Sequence, residues 1–159
     1  MGSIAADTLG LRDAATLEVT MPDGNGLGKV AEYTGDEVIT AGEWASRVMK
    51  SFELDTVKVF GDMERPVRKI AIYPGSGAIK TALMQNVDLL VTGDIGHHAG
   101  IDAKAEGLTV IDAGHYGIEH VFIKYIAGYI GRECPGVDIV TADICSPFEV
   151  LFNPDRMEN

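Results

Sequence analysis

The sequence has little that would cross-link a chain or anchor it in a membrane. Only two cysteines occur, Cys134 and Cys145, without CxxC spacing and without a neighbouring histidine. Neither a disulfide framework nor a thiolate metal site is therefore indicated, and two buried, reduced thiols are expected. No apolar run of about 18 residues exists, and the amino terminus lacks the basic-then-apolar order of a signal peptide. These absences predict a soluble, cytoplasmic protein with no membrane partner.

Positive charge is also scarce. The chain has 13 Lys and Arg against 24 Asp and Glu, a formal net charge of −11. Because nucleic-acid binding depends on clustered Lys and Arg, no nucleic-acid partner is expected. An anionic substrate would need a local source of positive potential, such as a metal ion or a helix amino terminus. With 159 residues, 46% of them hydrophobic, the chain is long enough for a core without disulfides or structural metals.

The first part of the chain differs in composition from the rest. Residues 1–36 contain several glycines and only short apolar pieces, which predicts a loosely ordered lead-in with an edge strand around residues 27–33. The main domain is expected over residues 37–154, followed by a short tail at 155–159. In the main domain, Thr40 and Glu43 have the spacing of a capping box. Apolar residues recur at helical spacing behind them and predict a helix over residues 41–52, namely Trp44, Val48 and Phe52.

Beyond this helix, short β-branched runs alternate with helical segments, a pattern typical of an α/β domain. The predicted strands are residues 57–60, 69–73, 88–92, 108–112 and 138–142, and the predicted helices are residues 79–86, 99–106 and 115–130. The last helix carries a broad apolar stripe and is expected to be buried against the sheet. The predicted fold class is therefore α/β, a three-layer domain with a largely parallel or mixed central sheet.

Ligands of open parallel sheets bind beyond the carboxyl ends of the strands, and three predicted strand ends carry unusual residues. The first is Gly75-Ser76-Gly77. A glycine turn between a strand and a helix can hold a phosphate with its backbone N–H groups. The turn lacks the pattern of a P-loop and the third glycine of a dinucleotide fingerprint, so a tight turn without a ligand is an equal alternative.

The second strand end carries Asp94, His97 and His98. Asp94 could cap the next helix, which needs no chemistry, or could place its carboxylate in a site. Adjacent residues on a helix point about 100° apart, so at most one of the two histidines is expected to face the crevice. That histidine could bind metal or transfer a proton, and either histidine could instead be solvated.

The third strand end carries His115 and Glu119 at positions i and i+4 of a predicted helix, whereas His120 points away. Both side chains project from one face and can share one divalent ion, such as Zn, Mn or Fe, with Asp112 behind them. The alternative is a glutamate favoured by the helix dipole beside a singly bonded histidine. The apolar strand before the pair, the Gly114 hinge and the nearby Asp94 favour the ligand pair.

Five segments together resemble a known family: GLGKVAEYT, VFGD, IAIYPGSG, LLVTGDIGHHAGIDA and VIDAGHYGIEH. The chain resembles the carboxyl-terminal lobe of the Nif-three-like proteins, also called YbgI-like or GTP cyclohydrolase I type 2 homologues. The resemblance implies an α/β protein in which two lobes enclose a dinuclear divalent-metal site, assembled as a hexameric ring. It also implies that a histidine pair and an aspartate come from an amino-terminal lobe, so this chain would hold half of that site.

The resemblance assigns roles to individual residues. The family's GHYxxE element falls on His115 and Glu119 as metal ligands, and its TGDxxxH element falls on Asp94 and His98 as candidate catalytic residues, with His98 as candidate proton donor. The turn Gly75-Ser76-Gly77 would line the same cleft. The predicted function is a metal-dependent hydrolase of a small molecule, such as a nucleotide, in a homo-oligomer. The alternative is a non-catalytic metal-binding or regulatory module that acts through protein partners.

Overall fold

A mixed sheet of six strands forms the centre of the computed structural model, which describes residues 1–151. In space the strands follow the order β1-β2-β6-β7-β8-β4, and a separate pair is formed by β3 and β5. The strands are β1 (Ala15–Val19), β2 (Gly26–Glu32), β3 (Ile39–Thr40), β4 (Lys58–Phe60), β5 (Pro66–Val67), β6 (Lys69–Ile72), β7 (Leu89–Thr92) and β8 (Thr109–Asp112). Strands β6, β7 and β8 are parallel, and the other neighbours in the large sheet are antiparallel. The prediction of a mixed central sheet is confirmed.

Helices cover both faces of this sheet. The helices of the described residues are α1 (Gly2–Leu9), α2 (Ala41–Ser51), α3 (Ile79–Met84), α4 (His97–Ala105), α5 (His115–Glu119) and α6 (Val121–Glu133). Alternate residues of the central strands point to opposite faces, so Leu89 and Val91 pack with α1, α2 and α5, while Leu90 packs with α3 and α4. Strand β7 is buried along its whole length, as expected of a parallel strand between two helical layers. The three-layer arrangement is confirmed.

The capping box that opens α2 is present as predicted. Thr40 Oγ1 accepts a hydrogen bond from Glu43 N at 3.3 Å, and Glu43 Oε2 accepts one from Thr40 N at 2.7 Å. The second of these bonds favours the ionised carboxylate and lowers the pKa of Glu43. The helix buries Trp44 and Val48 against the sheet, which explains the helical spacing of those apolar residues.

The expectation of a loosely ordered lead-in is wrong. Helix α1 packs on the sheet through Ala5 and Ala6, and β1 and β2 form an antiparallel hairpin within it. Strand β2 lies between β1 and β6, so it is not an edge strand. Gly24 lies in the tight turn between the two strands with a φ of +84°, and the Asp23 carboxylate there accepts a hydrogen bond from Asn25 N at 3.0 Å.

The end of the chain also departs from the predictions. The helix predicted over residues 115–130 is divided into α5 and α6. Of its apolar stripe, Ile118 on α5 is buried as predicted, whereas α6 carries the rest and has no buried residue. Residues 138–142 do not form a strand. Within the described residues the edges of the sheet are β1 and β4, and the segment pairs with neither. Cys134 and Cys145 lie in this region and are exposed, so the prediction of buried thiols is wrong. The predicted tail at 155–159 lies outside the described residues.

No helix of the described part of the chain is long and apolar enough to span a bilayer.

Candidate metal centre

The carboxyl ends of β6, β7 and β8 bring the three sequence-predicted strand ends together. Thr92 Oγ1 and Gly93 N both donate hydrogen bonds to the Gly75 carbonyl, at 2.9 and 2.8 Å. Ala113 N donates to the Thr92 carbonyl at 2.8 Å. These bonds continue the sheet ladder into the loops, so the loops keep the order of the strands. Thr92 belongs to the TGDxxxH element but was given no role of its own from the sequence, although a polar residue that ends a buried apolar strand could have marked it.

His115 and Glu119 lie on one face of α5, as their spacing predicts. Nε2 of His115 is 3.6 Å from Oε2 of Glu119, and the two side chains are 52% and 38% exposed. Bonds from zinc to nitrogen or oxygen ligands are about 2.0–2.2 Å long, so both atoms can bind one ion at this separation. Gly75 borders the pair, because a methyl group there would lie 3.6 Å from His115 Cε1 and 3.7 Å from Glu119 Oε1. The donor set therefore fits a divalent ion.

Asp94 contacts the other side of the same imidazole. Its Oδ2 is 3.3 Å from Nδ1 of His115, and its Oδ1 accepts a hydrogen bond from the His115 backbone N at 3.4 Å. The residue at the amino-terminal cap of α4 is Gly96, and no side chain bonds to that cap. The alternative in which Asp94 caps α4 is therefore wrong, and its carboxylate is directed to α5 instead.

Asp112 organises the loops beneath the pair. Its carboxylate is almost completely buried and accepts hydrogen bonds from the backbone N of Asp94 at 2.8 Å, of Gly114 at 3.0 Å and of Ile95 at 3.2 Å. Lys58 Nζ, on the neighbouring strand β4, lies 3.2 Å from Asp112 Oδ2 and balances its charge. One carboxylate therefore holds the loops after β7 and β8 in fixed register. Lys58 was missed by the sequence reasoning, because nothing along the chain shows that β4 pairs with β8.

A close approach of the same two loops explains one glycine. A methyl group at Gly93 would lie 2.7 Å from the carbonyl carbon of Gly114 and 2.8 Å from the His115 backbone N. Atoms of a side chain cannot occupy that space without moving the backbone. Gly93 therefore lets the loop after β7 pass directly against the start of α5.

Several predicted site residues stand apart from the pair. His97 and His98 are exposed on the first turn of α4, with their rings 5.5 Å apart edge to face. No described hydrogen bond or ion pair joins either ring to His115 or Glu119. Ser76 is exposed at the tip of its turn, and His120 stacks on Tyr116 with its Nδ1 3.0 Å from the Gly117 carbonyl. The structure thus joins four of the predicted residues and leaves the others separate; the four are Gly75, Asp94, His115 and Glu119.

The pair provides only part of a coordination shell. In residues 1–151 no three His, Cys, Asp or Glu side chains are arranged to hold one metal ion. Asp94 does not add a third ligand, because it contacts Nδ1 of His115 while Glu119 faces Nε2. Water or groups beyond the described residues would have to supply the remaining positions.

The chain is similar in sequence to longer proteins. It is 32% identical over 130 residues to a protein of Streptococcus pneumoniae serotype 4 named GTP cyclohydrolase 1 type 2 homolog, and it covers 47% of that protein's length. The match takes in 78% of the present chain. The chain therefore spans about half the length of this curated relative.

Solved structures show the same fold. A Staphylococcus aureus hypothetical protein superposes with a TM-score of 0.78 at 22% identity, over 94% of this chain and 63% of that one. A Bacillus cereus protein related to NIF3 superposes with a TM-score of 0.67 at 29% identity, over 79% of this chain and 36% of that one. Residues 2–147 match the family model described as Duf34/NIF3 (NGG1p interacting factor 3). The chain therefore belongs to the DUF34/NIF3 family.

Proposed function

We propose that the chain binds a divalent metal ion through His115 and Glu119 and forms part of a metal-dependent hydrolase. The observation that carries the proposal is the 3.6 Å separation of His115 Nε2 and Glu119 Oε2 at the carboxyl ends of parallel strands. An imidazole and a carboxylate suit Zn, Mn or Fe, which are the proposed ions. The Asp94 carboxylate behind the imidazole supports this role, because metal-binding histidines commonly donate their second ring N–H to a carboxylate.

The residues around the pair would divide the work of hydrolysis. A bound divalent ion lowers the pKa of its water and so supplies a nucleophile near neutral pH. His115 and Glu119 would hold that ion while their exposed sides admit water and substrate. Gly75 would keep the approach open, because a side chain there would contact both ligands. His98, whose exposed ring no described hydrogen bond fixes, is the proposed proton donor.

The names of the relatives suggest a nucleotide such as GTP as the substrate class. A chain with a net charge of −11 would repel the phosphates of a nucleotide at long range. Local groups must therefore attract them, and the backbone N–H groups of Gly75-Ser76-Gly77 beside the metal pair are the proposed partners. The proposed reaction is hydrolytic opening of a purine ring.

Metal binding is tested by titrating the purified chain with Zn²⁺ in a calorimeter. We expect a strongest site whose affinity falls at least about tenfold in His115→Ala and in Glu119→Ala, since each variant removes a direct ligand. His120→Ala is the matched control. The His120 ring stacks on Tyr116 and is not one of the proposed ligands, so this variant should bind Zn²⁺ as the parent does. If both ligand variants bind as tightly as the parent, the proposed site is wrong.

Catalysis is tested separately, by following the ultraviolet absorbance of GTP with Zn²⁺, Mn²⁺ or Fe²⁺ present. The chain alone is expected to be slow, since its described residues supply two ligands to the ion. The polypeptide that corresponds to the rest of a full-length relative is therefore added in a second series. Absence of turnover in both series, with metal bound, would exclude the hydrolase.

The second candidate is a non-catalytic metal-binding or regulatory module that acts through protein partners. It is favoured by the exposed apolar side chains on α6, which are Phe122, Tyr125 and Tyr129. Exposed apolar stripes of this kind mark contact surfaces in proteins. A homo-oligomer, up to the hexameric ring that the resemblance implies, belongs to both candidates. Metal binding without turnover, together with self-association, would favour the second candidate function.

A further inference from the structure

Asp94 has an unusual backbone conformation. Its φ is +54°, in the left-handed region that residues other than glycine seldom adopt and that Asp and Asn tolerate best. The buried carboxylate of Asp112 holds this conformation by accepting a hydrogen bond from Asp94 N at 2.8 Å. Strained backbone maintained by a buried partner is typical of functional sites. The conformation directs the Asp94 side chain at the first residue of α5.

The contact with the His115 ring selects one form of the imidazole. Asp94 Oδ2 lies 3.3 Å from Nδ1, and an ionised carboxylate can only accept a hydrogen bond. The carboxylate beside Nδ1 therefore favours the tautomer with the proton on Nδ1, in which Nε2 presents its lone pair. That lone pair is the one a metal ion would use, on the side where Glu119 Oε2 lies 3.6 Å away.

Glu119 favours the opposite form of the ring in the absence of metal. Its carboxylate would accept a hydrogen bond from a protonated Nε2, which would block that nitrogen for a metal. Asp94 and Glu119 therefore compete for the single ring proton of neutral His115. Asp94 Oδ1 also accepts a hydrogen bond from the His115 backbone N at 3.4 Å, which anchors the carboxylate on the Nδ1 side.

We infer that Asp94 is a positioning residue that keeps the ring proton of His115 on Nδ1, so that Nε2 is ready to bind the metal ion. The inference rests on the proposed function, in which His115 is a ligand. In this role Asp94 affects metal binding only through the His115 ring, and other groups carry out proton transfer. Asp112 acts one step further back, because its hydrogen bonds hold the loop that carries Asp94.

Two variants test this role without straining the backbone. Glycine and asparagine both tolerate a φ of +54°, so Asp94→Gly removes the carboxylate and Asp94→Asn keeps an acceptor for Nδ1–H. Asp102→Ala, an exposed aspartate of α4, is the matched control. Urea midpoints close to that of the parent are expected for Asp94→Gly, because relief of the positive φ offsets the lost hydrogen bond from the His115 backbone N.

The first readout is the tautomer of His115 in the metal-free protein, measured by long-range ¹H–¹⁵N correlation spectra at about pH 8.5, where an ordinary histidine is neutral. The parent, Asp94→Asn and Asp102→Ala should show the proton on Nδ1. Asp94→Gly should move it toward Nε2, because Glu119 is then the only carboxylate described beside the ring. If Asp94→Gly keeps the spectrum of the parent, the inference is overturned.

The second readout is the Zn²⁺ dissociation constant, with His115→Ala as the baseline for binding elsewhere, such as at the exposed His97-His98 pair. We expect it to rise about 10- to 100-fold in Asp94→Gly, the range typical of partners behind a ligand, and only slightly in Asp94→Asn. An unchanged constant in Asp94→Gly contradicts the positioning role. If the parent itself binds no better than His115→Ala, the proposed function fails, and the tautomer spectra still decide the role of Asp94.

Discussion

Two regions of the protein differ in which groups they bury and which they expose. In the strand-end region, which comprises the loops after β6, β7 and β8, a buried carboxylate and backbone groups bond to one another. In the C-terminal region, residues 121–151, many apolar side chains are exposed to solvent, and no residue of α6 is buried. Asp112 in the first region is nearly inaccessible, whereas Val140 in the second is 92% exposed. The described chain therefore determines the geometry of the first region by itself.

The C-terminal region is rich in apolar residues, as a protein core is, but these residues are not buried in the described chain. Phe122, Tyr125 and Tyr129 follow one another at spacings of three and four residues, so they form one stripe along α6. Residues 137–144 are rich in β-branched side chains but pair with no described strand. The chain covers 47% of the length of its Streptococcus relative, so the part of such a protein that the chain does not match is one cover that we propose to test. A second copy of the chain is the other.

The largest effect is expected from Asp112→Ala. The change leaves the backbone N–H groups of Asp94, Ile95 and Gly114 without their acceptor, and Lys58 without its partner. The three donors are partly buried, and each that loses its acceptor costs about 1 kcal/mol, the lower end of the range for buried groups, so the free energy of unfolding should fall by about 3 kcal/mol. Urea denaturation measures this loss. Asp102→Ala, an exposed control on α4, should change stability by no more than about 0.5 kcal/mol.

A fall of less than about 1 kcal/mol in Asp112→Ala would contradict the central role of this carboxylate. Water would then have to replace it as the acceptor for three backbone groups. The hydrogen bonds of Asp112 would then not make the strand-end region more rigid than the C-terminal region.

A smaller effect is expected from Gly93→Ala. The added methyl group would lie 2.7 Å from the carbonyl carbon of Gly114, so the two loops must separate. Overpacking of this kind costs about 1–3 kcal/mol. Gly96→Ala is the matched control in the same loop, because nothing lies within 4 Å of the methyl group there and the φ of −66° suits any residue. Equal urea midpoints for the two variants would show that the loops do not approach as closely as described.

Much of the strand-end region could be predicted from the sequence, because its determinants are local. The spacing of His115 and Glu119 places both side chains on one face of a helix, independently of how the rest of the chain folds. Likewise, the alternation of strands and helices predicts parallel neighbours, and parallel strands deliver their carboxyl ends to one edge. The spacing of Thr40 and Glu43 predicted a capping box for the same reason, since both partners lie within one helical turn.

What could not be predicted depends on pairing between distant residues. The hydrogen bonds of Asp112 to the loop of Asp94, and its ion pair with Lys58, follow from the sheet order, which no local pattern gives. The apolar stripe on α6 was expected to be buried, and periodicity does reveal that a face is apolar. It does not reveal whether the surface that covers the face belongs to the same chain, so burial was predicted where the structure shows exposure.

Replacement of the α6 stripe should change association more than stability. Serine has nearly the helix propensity of phenylalanine and tyrosine, so Phe122→Ser, Tyr125→Ser and Tyr129→Ser should each alter the free energy of unfolding by about 0.5 kcal/mol or less. If copies of the chain associate through this stripe, sedimentation should show the parent forming oligomers and the triple variant remaining monomeric. A loss of several kcal/mol in the triple variant would mean that α6 is buried in the isolated chain.

The smallest effect concerns the rate at which a thiol reagent modifies Cys134 and Cys145, both of which are exposed. In dilute solution each should react about as fast as in urea, since accessible thiols are limited only by their thiolate fraction. The rate should then fall as the protein concentration rises, if a second copy covers the region. A rate that stays high at all concentrations but falls when the remaining half of a relative is added would identify that half as the cover. Slow reaction in dilute solution would show instead that the isolated chain covers its own C-terminal region, because no second molecule is then present to protect the thiols.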